Sequence, residues 1–303
     1  MKVGIVLGLH DSPLWITDQI RSIQDQSHTD WVMVIRDDGP QTETSALAQS
    51  TTQRDPRISY RCAEPAGFVA NFLMGLRDLP ADCEAGAFSD QDDIWNRDKL
   101  ARAVDALRDF GDRPALYCAR RHVLTERGIV GDTLLYTRPP SFANALIENI
   151  APGNTIVLNR AALDLARRTA PLASGVFAHD WWLYQLISGV GGIVIYDPEP
   201  VVQYRQHSQN ILGAGEHGLT WLTNKLAVTK GLYRARIDQQ TAALYAVYDR
   251  LTPENQALLD RFCAARRAKG PLSRLRAMRR LPVRRQGALS HLTFLAAVVC
   301  DYA

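Results

Sequence analysis

The chain has 303 residues, of which 46% are hydrophobic and 22% charged, the proportions of an ordinary globular protein, which exclude disordered, collagenous and disulfide-stapled classes. Its 35 Lys and Arg against 32 Asp and Glu give a net charge of +3, but Arg261 to Cys300 holds ten basic residues and no acid, which leaves 25 basic against 32 acidic residues elsewhere, a net of −7. A basic tail on an acidic body suits the tail, and not the body, to an anionic partner.

From the amino terminus, Val3–Leu9 is an apolar run with Asp11 soon after, which makes a first strand and not a signal peptide. Ser12-Pro13 supply an N-cap and a first-turn proline for a helix in which Ile16, Ile20 and Ile23 recur at helical spacing, ending near Ser27. Trp31–Ile35 is a second strand, stopped by Asp37-Asp38-Gly39-Pro40. Ile58–Cys62 is a third, and Phe68–Leu76 a helix entered at Gly67. Ala85–Phe88 is a fourth strand ending in Ser89-Asp90-Gln91-Asp92-Asp93, after which Asp98 caps a helix carrying Leu100, Val104 and Leu107. Such alternation is the signature of βαβ units and predicts an α/β fold with a largely parallel sheet. Between Ala115 and Tyr204, strands (Thr155–Leu158, Ile193–Tyr196) mix with helices (Arg160–Arg168, Asp180–Ile187). Beyond Gly213 the pattern is helical alone, which divides the chain near Gly213–Gly218 into a body of residues 1–215 and a basic helical region of residues 216–303.

The five cysteines, Cys62, Cys83, Cys118, Cys263 and Cys300, show no CxxC or His/Cys spacing, so neither a zinc site nor a disulfide framework is expected. A reducing cytoplasm suits them. No apolar stretch reaches the roughly 18–20 residues of a spanning helix.

Both acidic clusters fall at carboxyl ends of strands, where open α/β sheets bind ligands. Three carboxylates within Asp90 to Asp93 repel one another unless a cation or solvent relieves them. On a tight turn Asp90 and Asp92 can project toward one point, suited to a hard ion such as Mg²⁺ or Mn²⁺ that keeps positions open for phosphate oxygens. The plainer alternative is a solvated, helix-capping loop; the strand before it and Ile94-Trp95 after it favour the metal. Asp37-Asp38-Gly39 is either a turn-forming Asp-Gly step or an acceptor for a base or ribose. His179-Asp180-Trp181-Trp182 opens a helix; Asp180 there is a dipole-favoured residue or a general base, with the tryptophans as a wall for a sugar face. Tyr204-Arg205-Gln206-His207 follows a strand and a Pro-rich corner at Asp197-Pro198-Glu199-Pro200, and His207 is either structural or a metal or phosphate contact. No GxxxxGK[ST], GxSxG or HExxH is present, and Gly189-Val190-Gly191-Gly192 does not satisfy GxGxxG and precedes a strand instead of following one, so phosphate is expected to be held through metal.

In this order the motifs resemble a family 2 glycosyltransferase of the GT-A fold, near the rhamnosyltransferase-like group, over about residues 1 to 215. Gln19-Ile20-Arg21-Ser22-Ile23 with Gln26-Ser27 is similar to its QI-x-SI-x-x-Q-[TS] helix, Asp37-Asp38-Gly39 to its DDG, and Gly67 with Asn71-Phe72 to its G-x-x-x-NF helix. Ser89-Asp90-Gln91-Asp92-Asp93-Ile94-Trp95 with Lys99-Leu100 is the most specific match, followed by Gly153 through Asn159-Arg160, His179-Asp180 and Tyr204-Arg205-x-His207-x-x-Asn210. The resemblance implies a GT-A Rossmann-like, mostly parallel sheet flanked by helices, with residues 1–215 as catalytic domain and a C-terminal helical extension. It implies that Asp37, Asp38, Asn71 and Asp90 bind the donor, Asp37 contacting the base, and that Asp90 and Asp92 form the metal-binding DxD pair, with His207 a further metal or diphosphate contact. Asp180 would be the base of an inverting transfer from a UDP- or dTDP-linked sugar to a hydroxyl of a glycan or lipid-linked acceptor, in cell-surface polysaccharide assembly. Leu9-His10-Asp11 and Pro40-Gln41-Thr42 depart from the family's usual Thr-Tyr-Asn and Ser-x-Asp.

For the tail, Arg274 to Arg285 interleaved with Leu275, Met278, Leu281 and Val283 predicts a basic amphipathic surface lying on the anionic inner face of a cell membrane. The competing readings are a nucleic-acid-binding protein using the same arginines, though the segment lacks a stacking platform, so nucleic acid is not expected as a partner, and a degenerate, non-catalytic transferase. A nucleotidyltransferase would need a basic glycine loop, and Gly8 to Pro13 has none.

Overall fold

The computed structural model describes residues 1–10, 14–39, 42–173, 175–206 and 232–303. Among them, β1 (Val3–Leu9), β2 (Trp31–Asp37), β3 (Ile58–Cys62), β4 (Ala85–Ser89), β5 (Ile94–Trp95), β6 (Ala115–Thr125), β7 (Gly128–Asp132), β8 (Val157–Asn159) and β9 (Ile193–Arg205) form one sheet. Its order is β3-β2-β1-β4-β8-β6-β9-β5, with β7 paired to β6. β3, β2, β1 and β4 are parallel, as are β6 and β9, whereas β8 is antiparallel to both its neighbours.

Parallel strands require crossovers, and here helices supply them on both faces. One face is covered by Ile16, Ile20 and Ile23 of α1 (Ile16–Gln24), Ala48 of α2 (Glu43–Thr52) and Leu100, Ala103 and Leu107 of α4 (Lys99–Leu107). The other is covered by Phe72, Leu73 and Leu76 of α3 (Phe68–Asp78), with the short α5 (Phe142–Ala145), α6 (Arg160–Thr169) and α7 (His179–Gly189). Being covered twice, Val3, Ile5, Val6 and Leu7 of β1 are wholly buried, which explains their unbroken apolar run. Gly75 lets α3 lie close on β1: a Cβ there would stand 2.4 Å from Val6.

Among the described residues, four helices follow: α8 (Leu232–Ala246), α9 (Pro253–Arg267), α10 (Pro271–Arg279) and α11 (Ala288–Val299). Leu244, Leu259, Phe262, Met278, Val283 and Phe294 from this region join the core beneath α3, α6 and α7. The architecture is thus the expected α/β sheet with C-terminal helices. The boundary expected near Gly213–Gly218 lies outside the described residues. Among the described residues no helix is long and apolar enough to cross a membrane.

Several local expectations need correction. Ser12-Pro13 lie outside the described residues; α1 begins at Ile16 behind Trp15 and ends at Gln24, short of Ser27. Asp98 stands at the cap of α4 but its side chain makes no capping bond; Gln26 Oε1 accepts from the Leu100 amide instead, at 3.0 Å. β9 runs straight through Asp197-Pro198-Glu199-Pro200, where a corner was expected. Ala119 pairs with Asp197 and Arg120 with Pro200, so Pro198 and Glu199 are accommodated as a bulge.

The tail differs most. Met278 and Val283, expected to face a membrane, are 1% and 3% exposed, and Leu281 packs on the core. Three arginines are likewise engaged inward. Arg274 donates to the carbonyls of Val298 and Val299 at 3.0 and 2.9 Å, Arg285 pairs with Glu148 at 3.3 Å, and Arg266 with Asp238 at 2.8 Å. Heptad-like spacing shows that a helix has an apolar stripe; it does not show whether protein or lipid covers the stripe.

Candidate active site

The parallel pairing sets the carboxyl ends of β2, β1 and β4 side by side, with Leu9 opposite Asp37 and Leu7 opposite Ser89. Both acidic clusters therefore share one rim of the sheet. Asp37 is 2% exposed. Its Oδ2 accepts from Ser45 Oγ and Tyr60 Oη, each at 2.6 Å, and its Oδ1 from the Gly39 amide at 3.1 Å. Asn71, buried on α3, donates to the Arg36 carbonyl at 3.1 Å, so it fixes the strand end that carries Asp37; its own Oδ1 is buried without a partner. Asp38 is half-buried beside it.

The second cluster is held by α1. Gln19 is wholly buried, and its amide fits with the nitrogen donating to the Asp93 carbonyl at 2.6 Å and the oxygen accepting from Ser89 Oγ and Trp95 Nε1 at 2.6 and 3.1 Å. Ser22 Oγ accepts from the Trp95 amide at 3.0 Å, and Gln26 donates to the Asn96 carbonyl at 2.8 Å. Three polar side chains, Gln19 and Ser22 on α1 and Gln26 just past its end, thus dictate the path of residues 93–100. Lys99 is buried beneath, its Nζ over the Trp95 ring; burial lowers its pKa well below the usual value, against the pull of Asp93 and Asp90.

Within the loop, charge is concentrated. Desolvation, followed by the neighbouring Asp93 and Asp92, raises the Asp90 pKa well above the carboxylate range, with Asp180 adding to the push and Arg121 opposing it. Burial and the Asp92 charge push Asp93 up to about 7, although Asn154 Nδ2 and the Arg205 amide both donate to its carboxylate. Arg205 Nε also donates to the Asp92 carbonyl at 2.9 Å.

Asp180 enters from the opposite side, in the first turn of α7, where the helix dipole favours a carboxylate. Its Oδ1 accepts from the Trp181 amide at 2.6 Å and its Oδ2 from the Gly153 amide at 3.1 Å. The single turn Gly153–Thr155 therefore grips both sides of the cleft: Gly153 holds Asp180 and Asn154 holds Asp93. Glycine is needed there, because a Cβ would meet His179 Nε2 at 2.9 Å. His179 is stacked on Phe72 at 4.5 Å, with Phe88 and Phe68 at 5.1 and 5.2 Å. Burial lowers its pKa to about 4.

The donor set suits a hard cation. Carboxylate oxygens concentrate at Asp90, Asp92 and Asp93, and their mutual repulsion is what a cation would relieve. Among the described residues no three His, Cys, Asp or Glu side chains form a closed ligand cage. An open set of that kind fits an ion that takes one or two carboxylates and completes its shell with water and phosphate oxygens.

The profile of the family described as Glycosyl transferase family 2 matches residues 5–160, the segment that supplies Asp37, Asn71 and the acidic loop and reaches Asn154. The chain belongs to that family. The dTDP-rhamnosyl transferase RfbG of Shigella flexneri is 26% identical over 221 residues, 69% of this chain and 74% of RfbG. Among solved structures, residues 1–349 of S. aureus TarS in complex with UDP-GlcNAc align with a TM-score of 0.55 at 13% identity, over 100% of this chain and 89% of that one. The mannosyltransferase PcManGT of Pyrobaculum calidifontis, in complex with GDP-Man and Mn²⁺, aligns with a TM-score of 0.54 at 16% identity, over 99% and 85%. These likenesses establish the GT-A type of fold.

The structure brings Asp90, Asp92, Asp93 and Asp180 to one cleft at the rim that also carries Asp37 and Asp38; His207 lies outside the described residues. Trp181 and Trp182 do not form a sugar wall: they are 5% and 0% exposed, and Trp181 Nε1 donates to the Ala145 carbonyl at 2.6 Å. Adjacent residues on one helix turn diverge by about 100°, so Asp180 faces the cleft while the tryptophans enter the core. Sequence reading assigned no role to Asn154, Arg121 or Arg205. Asn154 and Arg205 fall inside quoted motif segments, which was a signal; Arg121 lies in a strand with none.

Proposed function

We propose that this family 2 glycosyltransferase is an inverting, divalent-metal-dependent enzyme that moves a sugar from a nucleotide-diphosphate donor to a hydroxyl of a glycan or lipid-linked acceptor during cell-surface polysaccharide assembly. The turn at Gly153–Thr155, which ties Asp180 to the acidic loop, is the observation that carries this reading. Asp180 accepts the proton of the acceptor hydroxyl; the Gly153 and Trp181 amides orient its carboxylate for that task. A positioned base of this kind contributes roughly 10²–10⁴-fold. Asp90 and Asp92 would hold Mg²⁺ or Mn²⁺, and Asp93, gripped by Asn154 and the Arg205 amide, keeps the loop in place. When bound, the ion supplies positive charge against the diphosphate of the departing nucleotide. Asp37 and Asp38 face the donor's nucleoside, with Asn71 fixing the strand end behind them. Likeness to RfbG supports a dTDP-linked rhamnose donor.

The test is a panel of UDP-, dTDP- and GDP-sugars assayed for Mn²⁺- or Mg²⁺-dependent turnover, with Asp92→Asn and Asp180→Asn as controls and the product's anomeric configuration read by NMR. Turnover of one donor, lost in both variants, with inverted configuration is expected. Retention of configuration, or full turnover in either variant, overturns the mechanism.

A further inference from the structure

The inward turn of Met278 and Val283 removes them from any membrane contact, yet the same hairpin leaves a different set of side chains outside. Arg274, near the start of α10, bonds carbonyls at the end of α11, so the two helices lie antiparallel, with Met278 and Phe294 beneath them in the core. On the outer side of α11, Leu289 and Leu292 are 65% and 63% exposed, and Ala296 continues the stripe at i+7. On the outer side of α10, Leu272 is 78% exposed, and Arg276, Arg279 and Arg280 are exposed, as is Arg284 just beyond. α11 contains no Asp, Glu, Lys or Arg.

We infer that the outer face of the α10–α11 hairpin is a docking surface for an anionic lipid bilayer, with Leu272, Leu289 and Leu292 entering the headgroup boundary and Arg276, Arg279, Arg280 and Arg284 meeting lipid phosphates. Charge complementarity selects this occupant. From Arg261 to Cys300 there is no carboxylate, so nothing in the segment repels an anionic sheet. A second copy of the chain packing face to face would set these arginines against their own images. A nucleic acid would use the arginines but gain nothing from three exposed leucines. Leucines beside arginines on the polar flank of a helix are what an interfacial helix requires. The inference stands apart from the transferase reading, since neither donor nor acidic loop takes part.

The experiment is co-sedimentation of the full chain with vesicles of phosphatidylcholine alone or with added phosphatidylglycerol. Binding is expected only with phosphatidylglycerol, with release at about 1 M salt, where the screening length falls to about 3 Å. Leu289→Ser with Leu292→Ser, and separately Arg276→Glu with Arg279→Glu and Arg280→Glu, should each weaken partitioning by about tenfold or more, with unchanged circular dichroism and melting. Leu272→Gln provides an independent third variant should either combination unfold. Equal binding to neutral vesicles, insensitivity to all the variants, stronger competition by duplex DNA than by lipid, or a wild-type dimer that the leucine variant converts to monomer would overturn it.

Discussion

Asp37 and the Asp90–Asp93 loop occupy equivalent places, at the ends of the parallel strands β2 and β4 that flank β1, yet they are solved differently. The Asp37 carboxylate is met by three donors from its own protein, Ser45, Tyr60 and Gly39. In the loop, three carboxylates crowd together with Asp180 near them, and burial and mutual repulsion push two of them, Asp90 and Asp93, up in pKa. Strand-end position alone therefore does not concentrate charge. The excess of carboxylates over donors does, and either protonation or a bound cation would relieve it.

The largest test of this contrast is Asp180→Asn, which keeps the shape of the cleft and removes the base; turnover should fall roughly 10²–10⁴-fold while donor binding, followed by calorimetry, persists. Next is pH. Buried His179 titrates at about 4, below the roughly 6.5 of an unfolded histidine. Between those values the unfolded chain takes up a proton that the folded one does not, so stability falls as pH is lowered from 6.5 toward 4. The loss amounts to about 3 kcal/mol at about 1.4 kcal/mol per unit. In denaturant melts across that window, His179→Phe should flatten the dependence; an unchanged slope assigns it elsewhere.

Asn154→Ala breaks the bond to Asp93 without touching Asp180 and should raise the metal concentration for half-maximal turnover about 10–100-fold. The same requirement as in the wild type would mean that the turn is only a scaffold. Asp37→Ala strands the Ser45 and Tyr60 hydroxyls and should cost about 1–3 kcal/mol in urea unfolding, with the metal requirement unchanged. The smallest effect is expected for Leu289→Ser, within about 0.5 kcal/mol in the same melts, as befits an exposed site.

Val3–Leu9 matches residue for residue because a strand buried on both faces is written as an unbroken apolar run; Ile58–Cys62 also matches, although it is an edge strand with Ser59, Arg61 and Cys62 exposed. α2 was not legible, because Glu43–Thr52 is mostly small and polar, with no apolar period to read. The acidic loop was legible as chemistry, since like charges so close in sequence must be close in space. The partners Asn154 and Arg121 come from residues about 60 and 30 positions later, and only pairing of β6, β8 and β9 brings them near. The apolar positions Met278, Leu281 and Val283 of the tail were misplaced because burial of an apolar stripe is decided by what packs on it, and that partner, the core beneath α7, is distant in sequence.

Gln19 and Ser22 of α1, with Gln26 just past its end, bond main chain at the Asp93 and Asn96 carbonyls and the Trp95 and Leu100 amides, and Gln19 also accepts from the Ser89 and Trp95 side chains. Bonds to main chain specify a path while leaving the choice of side chain open at the positions between. Substitutions at Gln91, Asp92 or Ile94 can therefore alter what the loop recognises without moving it. By contrast, one change at Gln19 would shift every ligand together. Variation in substrate preference should accumulate on the loop, and loss of function on the helix, although the helix is the element further from the chemistry.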